Sequence, residues 1–338
     1  MRRFLLSLLV FVLTSCTCGA LASCDGNDKQ PVATQNRVYY EYFDTVCVIY
    51  NYSGDESFDQ RCDGIEQILK TYHELLDLYH EYDGVTNLAT LNRTAGQGAV
   101  AVSRELADFL IYARSVYDLT GGEVNAAMGS VLSIWHNYRA AGVAIPSKAE
   151  LSEAAKHIDF DDVVVDTAAL TVTITDEDLS LDGGALAKGY VAARLREYLE
   201  SLGAESYVLD LGGNLCAVGT KPDGSGWATG VKAPDGLSGY VYKFVLTDAS
   251  AVTSGSYERY YVVDGSSYHH IIDKDTLMPA KGFTSVTIVT PDDDLADALS
   301  TALFCMSYEQ GCALLSTLDG ASAVWVTENR EVLKYNFK

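Results

Sequence analysis

Asp297 and Thr301 stand four residues apart in a predicted helix, so a carboxylate and a hydroxyl share one of its faces. Both are hard oxygen donors of the kind Mg²⁺ takes, with waters and substrate phosphates completing its shell. The preceding acidic run, Asp292, Asp293 and Asp294, is explained in part by the favourable placement of carboxylates at a helix start. Asp297 lies further in, between Ala296 and Ala298, and that explanation does not reach it. A second cluster, Leu181-Asp182-Gly183-Gly184-Ala185-Leu186-Ala187-Lys188-Gly189-Tyr190, runs from a strand through a glycine pair into a helix. Such a turn lets the backbone approach a ligand and offers free N–H groups to an anion such as a pyrophosphate. Lys188, in the first helical turn, can point at the same ligand, although a connection needed only for folding would look alike. Asp210-Leu211-Gly212-Gly213-Asn214 ends a predicted buried strand and fits a pocket wall as well as a hairpin or β-bulge. In His269-His270-Ile271-Ile272-Asp273, His270 and Asp273 have the types for an acid–base or phosphate-contacting pair; a His pair at a strand end is more often structural.

These groups need elements to hold them. Residues 38–50 are β-branched and aromatic and read as two strands; residues 58–82 carry apolar side chains at helical spacing. Helices are also predicted over 86–92, 103–119, 126–138, 151–155, 185–202 and 295–306, with capping signals at Thr86 and Ser103. Strands are predicted at 179–181, 206–211, 215–219, 227–231, 241–246, 251–254 and 285–289, with hairpins over 163–174 and 257–272 and a closing pair at 323–326 and 332–337. Strands outnumber crossover helices, so the expected fold is α+β, with mixed or antiparallel sheets and helices packed on them.

The 338 residues are 48% apolar and 21% charged, which excludes a disordered, collagen-like or polytopic membrane chain. The net charge of −22 makes nucleic acid and anionic membrane surfaces poor partners. A phosphate compound would need positive charge supplied locally by a metal ion or backbone N–H groups. Arg2 and Arg3 precede an apolar run over 4–13, the pattern of an export leader. Cys16 and Cys24 each follow small residues in the manner of a bacterial lipobox, and Cys24 directly precedes a polar stretch. The expected organisation is a lipoprotein-type signal peptide over 1–23, a tether over 24–37 and one domain over 38–338, exported and lipid-anchored to the outer face of the cytoplasmic membrane. Cys47, Cys62, Cys216, Cys305 and Cys312 are scattered, with no zinc spacing, and Cys47, Cys216 and Cys305 read as buried small hydrophobes.

Five segments in register resemble the ApbE family of FAD:protein FMN transferases: residues 181–190, 209–214, Val252 to Tyr260 (VTSGSYERY), 270–273, and Ala296 to Leu303 (ADALSTAL). The match extends upstream through NLATLN at 87–92 and through 120–135. The resemblance implies a T-fold-related, two-lobed α+β architecture. It also implies Mg²⁺-dependent cleavage of FAD, release of AMP, and FMN left on a threonine of a target protein. Mg²⁺ would rest on Asp297, Thr301 and the backbone carbonyl of Ala185. Asp182 and Lys188 would face FAD; Phe43, Tyr79, Glu123, Val124, Asn125 and Ile272 match further flavin-nucleotide positions. Asn125 and Ala127 depart from the Asp and Thr frequent in the family. Asp182 and His270 are the candidate bases on residue chemistry. The family's acceptor motif, roughly Ser/Thr-Gly-Ala-Thr, is absent, so the acceptor is expected to be another exported protein, such as a subunit of a membrane redox complex. The rival readings are a Mg²⁺-dependent FAD pyrophosphatase giving FMN and AMP, a flavin-binding lipoprotein without chemistry, and a structural surface protein.

Overall fold

The computed structural model describes residues 33–234 and 239–337; the predicted leader, Cys16 and Cys24 lie outside them. Chain entry is a hairpin of β1 (Gln35–Tyr39) and β2 (Cys47–Asn51). Helix α1 (Phe58–Leu76) buries a stripe through Phe58, Cys62, Ile65, Leu69 and Tyr72. It stops at Leu76 and not at Tyr82, because the Asp77 carboxylate accepts hydrogen bonds from the N–H groups of Tyr79 and His80 and from the Tyr82 hydroxyl. Tyr79 thereby sits on a loop. Helix α2 (Leu88–Arg93) is capped by Asn87, one residue after the expected Thr86.

A short strand, β3 (Val100–Ala101), leads to α3 (Arg104–Thr120), bounded by the Ser103 cap and a left-handed Gly121. Helices α4 (Gly129–Ala141) and α5 (Lys148–Ala154) follow, then the hairpin β4 (Val163–Asp166) and β5 (Thr171–Ile174), which β3 joins as a third strand. The predicted strand over 179–181 reduces to a single parallel bridge between Met128 and Ser180.

Helix α6 (Ala187–Ser201) precedes β6 (Tyr207–Leu211), β7 (Asn214–Val218), β8 (Trp227–Lys232), β9 (Tyr240–Leu246) and β10 (Ser250–Gly255). Next come β11 (Tyr260–Val263), β12 (Ser266–His269), β13 (Phe283–Thr290), α7 (Asp293–Cys305), α8 (Tyr308–Leu315), β14 (Ser322–Thr327) and β15 (Val332–Tyr335). Helix α8 and strand β3 were not expected from the sequence.

The main sheet has eight strands in the order β1-β2-β6-β7-β10-β13-β14-β15, every neighbouring pair antiparallel. The fold is thus α+β. A core of buried side chains runs from α1 and α3 through α6 to the strands β2 and β6, joining Leu69, Leu106, Phe109, Val191, Leu195 and Leu209.

Two helices on this sheet frame the region of chemical interest. Gly189 of α6 faces α7 so closely that a Cβ there would lie 2.9 Å from Asp297 Cβ and 3.1 Å from the Asp294 carbonyl oxygen. Ion pairs run along the contact: Arg194 with Asp294 at 3.1 Å, Arg196 with Asp293 at 2.9 Å, and Lys188 with Asp297. The Asp292 side chain caps α7, accepting from the N–H of Leu295. The acidic run therefore caps one helix and binds another.

Candidate active site

Where the start of α6 meets α7, the β6–β7 turn, the loop after α1 and the end of β12 lies a cavity of about 990 Å³. That is the upper end of the range of roughly 300–1,000 Å³ usual for small-molecule sites. Every residue that the resemblance nominates borders it.

At one pole are Asp297, Thr301, Ala185 and Lys188. Asp297 is buried, and its carboxylate accepts from the N–H of Gly189 at 3.4 Å. Leu186, the residue before α6, supplies no side-chain cap. Asp297 therefore brings to the start of α6 the negative charge its own cap lacks. Lys188 Nζ lies 3.2 Å from both Asp297 oxygens, so its ammonium pairs with that carboxylate. The Thr301 hydroxyl is 3.4 Å from the Asp297 carbonyl and 3.3 Å from Ser254 Oγ. Asp297, Thr301 and Ala185 all border the cavity, and the oxygens they can offer suit Mg²⁺ and not a thiophilic metal. The other grouping of possible ligands, His157 with Asp176 and Asp178, does not border the cavity; His157 and Asp176 form an ion pair at 2.8 Å.

Asp182 sits on the cavity wall, its backbone N–H bonded to the Ala126 carbonyl and its Oδ1 accepting from Gly184 at 2.8 Å. The preceding peptide is clamped from both sides by Asn92, which donates to the Leu181 carbonyl at 3.0 Å and accepts from the Leu181 N–H at 2.7 Å. Although cavity water can reach it, protein surrounds the Asp182 carboxyl, and that desolvation pushes its pKa above the ordinary carboxylate range.

His270 borders the same space. Burial first, then the nearby Arg259 guanidinium, holds its pKa at about 4, so the ring is neutral at pH 7. Its Nδ1 lies 3.3 Å from the Arg259 carbonyl, which can only accept. The proton is assigned to Nδ1 on that ground, leaving Nε2 as an acceptor. Asp273 does not pair with it: Asp273 Oδ1 accepts from the backbone of Asp275 and Thr276 and from the Thr276 hydroxyl, forming a turn away from the cavity.

Tyr79 and Phe43 stand on loops at another side. The Tyr79 side chain is 57% exposed, and its hydroxyl is 3.2 Å from His136 Nδ1. Phe43, at φ 56°, sets its ring edge-on to His73. Glu123, its carboxyl pushed up by burial, is 3.6 Å from Lys274. Val124 and Ile272 supply apolar wall. Asn125 spends its side chain locally, donating to the Ile158 carbonyl and accepting from Ala127 N–H. The Asp210–Asn214 segment proves to be both hairpin and wall: Gly212 and Gly213, at φ 64° and 96°, make the two-residue turn between β6 and β7.

Among the lining residues that the sequence did not single out are His136, Arg139 and Arg259. Arg259 lies inside the VTSGSYERY segment, but nothing in its spacing told a cavity guanidinium from a surface one.

An α+β scaffold that brings oxygen donors, a glycine-rich turn into a helix and a neutral, half-buried histidine around one cavity has the size and chemistry to take a nucleotide. The ApbE family model matches residues 43–325, and the chain belongs to that family. It is 30% identical over 284 residues to a FAD:protein FMN transferase of Klebsiella pneumoniae, covering 83% of this chain and 86% of that one. A Treponema pallidum FAD:protein FMN transferase is 36% identical over 261 residues, 72% of each chain. The crystal structure of the ApbE protein from Thermotoga maritima superposes with a TM-score of 0.79 at 28% identity, covering 89% of this chain and 97% of that one.

Proposed function

We propose that this chain transfers FMN from FAD to a threonine hydroxyl of another exported protein and releases AMP, with Mg²⁺ held by Asp297, Thr301 and the Ala185 carbonyl. The observation that carries the reading is that this oxygen-donor set borders the same cavity as Asp182 and His270. Membership of the family and the activity named for its relatives support it. When bound, Mg²⁺ would neutralise and polarise a pyrophosphate that a chain of charge −22 otherwise repels. The start of α6 and the Asp182-Gly183-Gly184 turn orient the phosphates, and the aromatic and apolar side chains Phe43, Tyr79, Val124 and Ile272 hold the flavin nucleotide. The hydroxyl proton passes to His270 Nε2 or to the Asp182 carboxylate. The stretch most like an acceptor motif, Ser254-Gly255-Ser256-Tyr257, lacks the threonine, and its Ser254 is hydrogen-bonded to Ser300 at 2.8 Å, which favours an acceptor on a separate protein carrying a Ser/Thr-Gly-Ala-Thr-like segment. The leader and Cys16 or Cys24 favour a lipid-anchored protein outside the cytoplasmic membrane.

The test incubates the purified chain with FAD, Mg²⁺ and a protein bearing that segment, and follows AMP by chromatography and FMN on the denatured acceptor by mass. Equal AMP and labelled acceptor support transfer. AMP with free FMN and no label would replace the reading by a pyrophosphatase, and intact FAD beside an active control enzyme would replace it by flavin binding alone.

A further inference from the structure

Arg139 on α4 and Arg259 before β11 both border the cavity, and among the described residues neither guanidinium meets a carboxylate. That is unusual in a chain with 46 acidic and 24 basic residues, in which Arg37, Arg61, Arg93, Arg114, Arg194 and Arg196 all pair with carboxylates. Arg139 is held by a neighbour that adds no negative charge, while the exposed Arg259 side chain acts on the Asp182 carboxyl without forming an ion pair with it. Arg139 Nη2 lies 3.2 Å from His136 Nδ1, which must be the acceptor because a guanidinium only donates; the Tyr79 hydroxyl meets the same nitrogen. The Arg259 carbonyl accepts from His270 N–H at 3.1 Å and from its ring, tying Arg259 across the base of the β11–β12 hairpin. Both arginines border the one cavity, and burial first, then the Arg259 charge, lowers the Arg139 pKa. Neither guanidinium contacts Asp297 or Lys188. Two guanidiniums that border one cavity without an ion-pair partner favour an anion there, and planar guanidinium forks match phosphate oxygens.

We infer that Arg139 and Arg259 form a phosphate subsite that works without metal, separate from the Asp297–Thr301 pole. The inference rests on the flavin-transfer reading for its ligand, a nucleotide phosphate. In that reaction the threonine Oγ–P bond forms and the P–O bond to AMP breaks. The bonding pair stays on the AMP phosphate, whose charge goes from one to two negative, and the hydroxyl proton leaves to the base. The subsite holds either this leaving phosphate or the flavin-side one.

Calorimetric titration of the whole chain in EDTA, with AMP, FMN, adenosine and riboflavin as probes, tests it. Arg139→Ala and Arg259→Ala are compared with Arg139→Lys and Arg259→Lys, with circular dichroism to confirm folding. The expected result is at least tenfold weaker binding of AMP or of FMN in both Ala variants, partly recovered by Lys. Adenosine and riboflavin should be unaffected, and the phosphate ligand that weakens identifies the half of FAD held there. Unchanged AMP and FMN binding in the Ala variants, equal losses for adenosine or riboflavin, or no binding of either nucleotide by the wild-type chain in EDTA would overturn it. Acceptor labelling by the wild-type chain is scored separately, so a chain that binds phosphate through these arginines without transferring FMN defeats the functional reading alone.

Discussion

Lys188 Nζ stands 3.2 Å from each carboxylate oxygen of Asp297, at the end of α6 where Gly189 also donates to that carboxylate. One buried acid therefore closes a helix start, pairs a lysine and offers oxygen to the cavity. A carboxylate so placed is costly unless a cation accompanies it. Lys188 fills that part within the protein, and a bound Mg²⁺ would share it.

Lys188→Met should accordingly destabilise the metal-free chain by about 1–3 kcal/mol, less than a fully buried pair because Lys188 is partly exposed. Mg²⁺ should then raise the melting temperature of the variant more than that of the wild type, since the metal replaces the missing charge. Thermal melts with and without Mg²⁺ check this; equal Mg²⁺ shifts would show that the cation does not bind at Asp297.

Gly189→Ala should push α6 from α7. The added Cβ meets Asp297 Cβ at 2.9 Å and the Asp293 and Asp294 carbonyls at 3.2 and 3.1 Å, backbone contacts that cannot swing aside. A loss of about 1–3 kcal/mol in denaturant unfolding is expected, with activity falling further than stability because Asp297 moves with α7.

Much of this arrangement was legible in the sequence, for reasons that differ from residue to residue. The i,i+4 spacing of Asp297 and Thr301 places them on one helix face whatever the tertiary fold, and glycine pairs announce turns. The end of α1 was not legible, because Asp77 breaks the helix through side-chain bonds to residues whose apolar and aromatic spacing still looks helical. The pairing of Lys188 with Asp297 spans 109 positions and depends on how α6 meets α7. Asp273 shows the converse: its proximity in sequence to His270 suggested a pair, but local backbone bonds claimed it.

His270 gives a pH signature. Its folded pKa of about 4 lies below the ordinary 6.5. Between those values the unfolded chain binds a proton that the folded one does not, so stability from this residue is complete above about pH 6.5 and is lost as pH falls toward 4. His270→Gln should flatten the rise in unfolding free energy between pH 4 and 6.5; an unchanged slope would contradict the burial of a neutral ring.

Asn92→Ala removes both hydrogen bonds to the Leu181 peptide. The exposed cost is about 1–3 kcal/mol if the peptide stays buried without partners. The loosened Asp182 turn should raise KM for FAD more than it lowers kcat, as steady-state kinetics would show.

The most direct test is acceptor labelling by the wild-type chain and by Asp297→Asn, each with Mg²⁺ or EDTA. The asparagine retains an oxygen for the Gly189 N–H but not the charge. FMN mass on the acceptor should appear only with wild type and Mg²⁺, and fall by about a thousandfold or more in Asp297→Asn. Labelling that survives both EDTA and the substitution would contradict a metal-assisted transfer at this site.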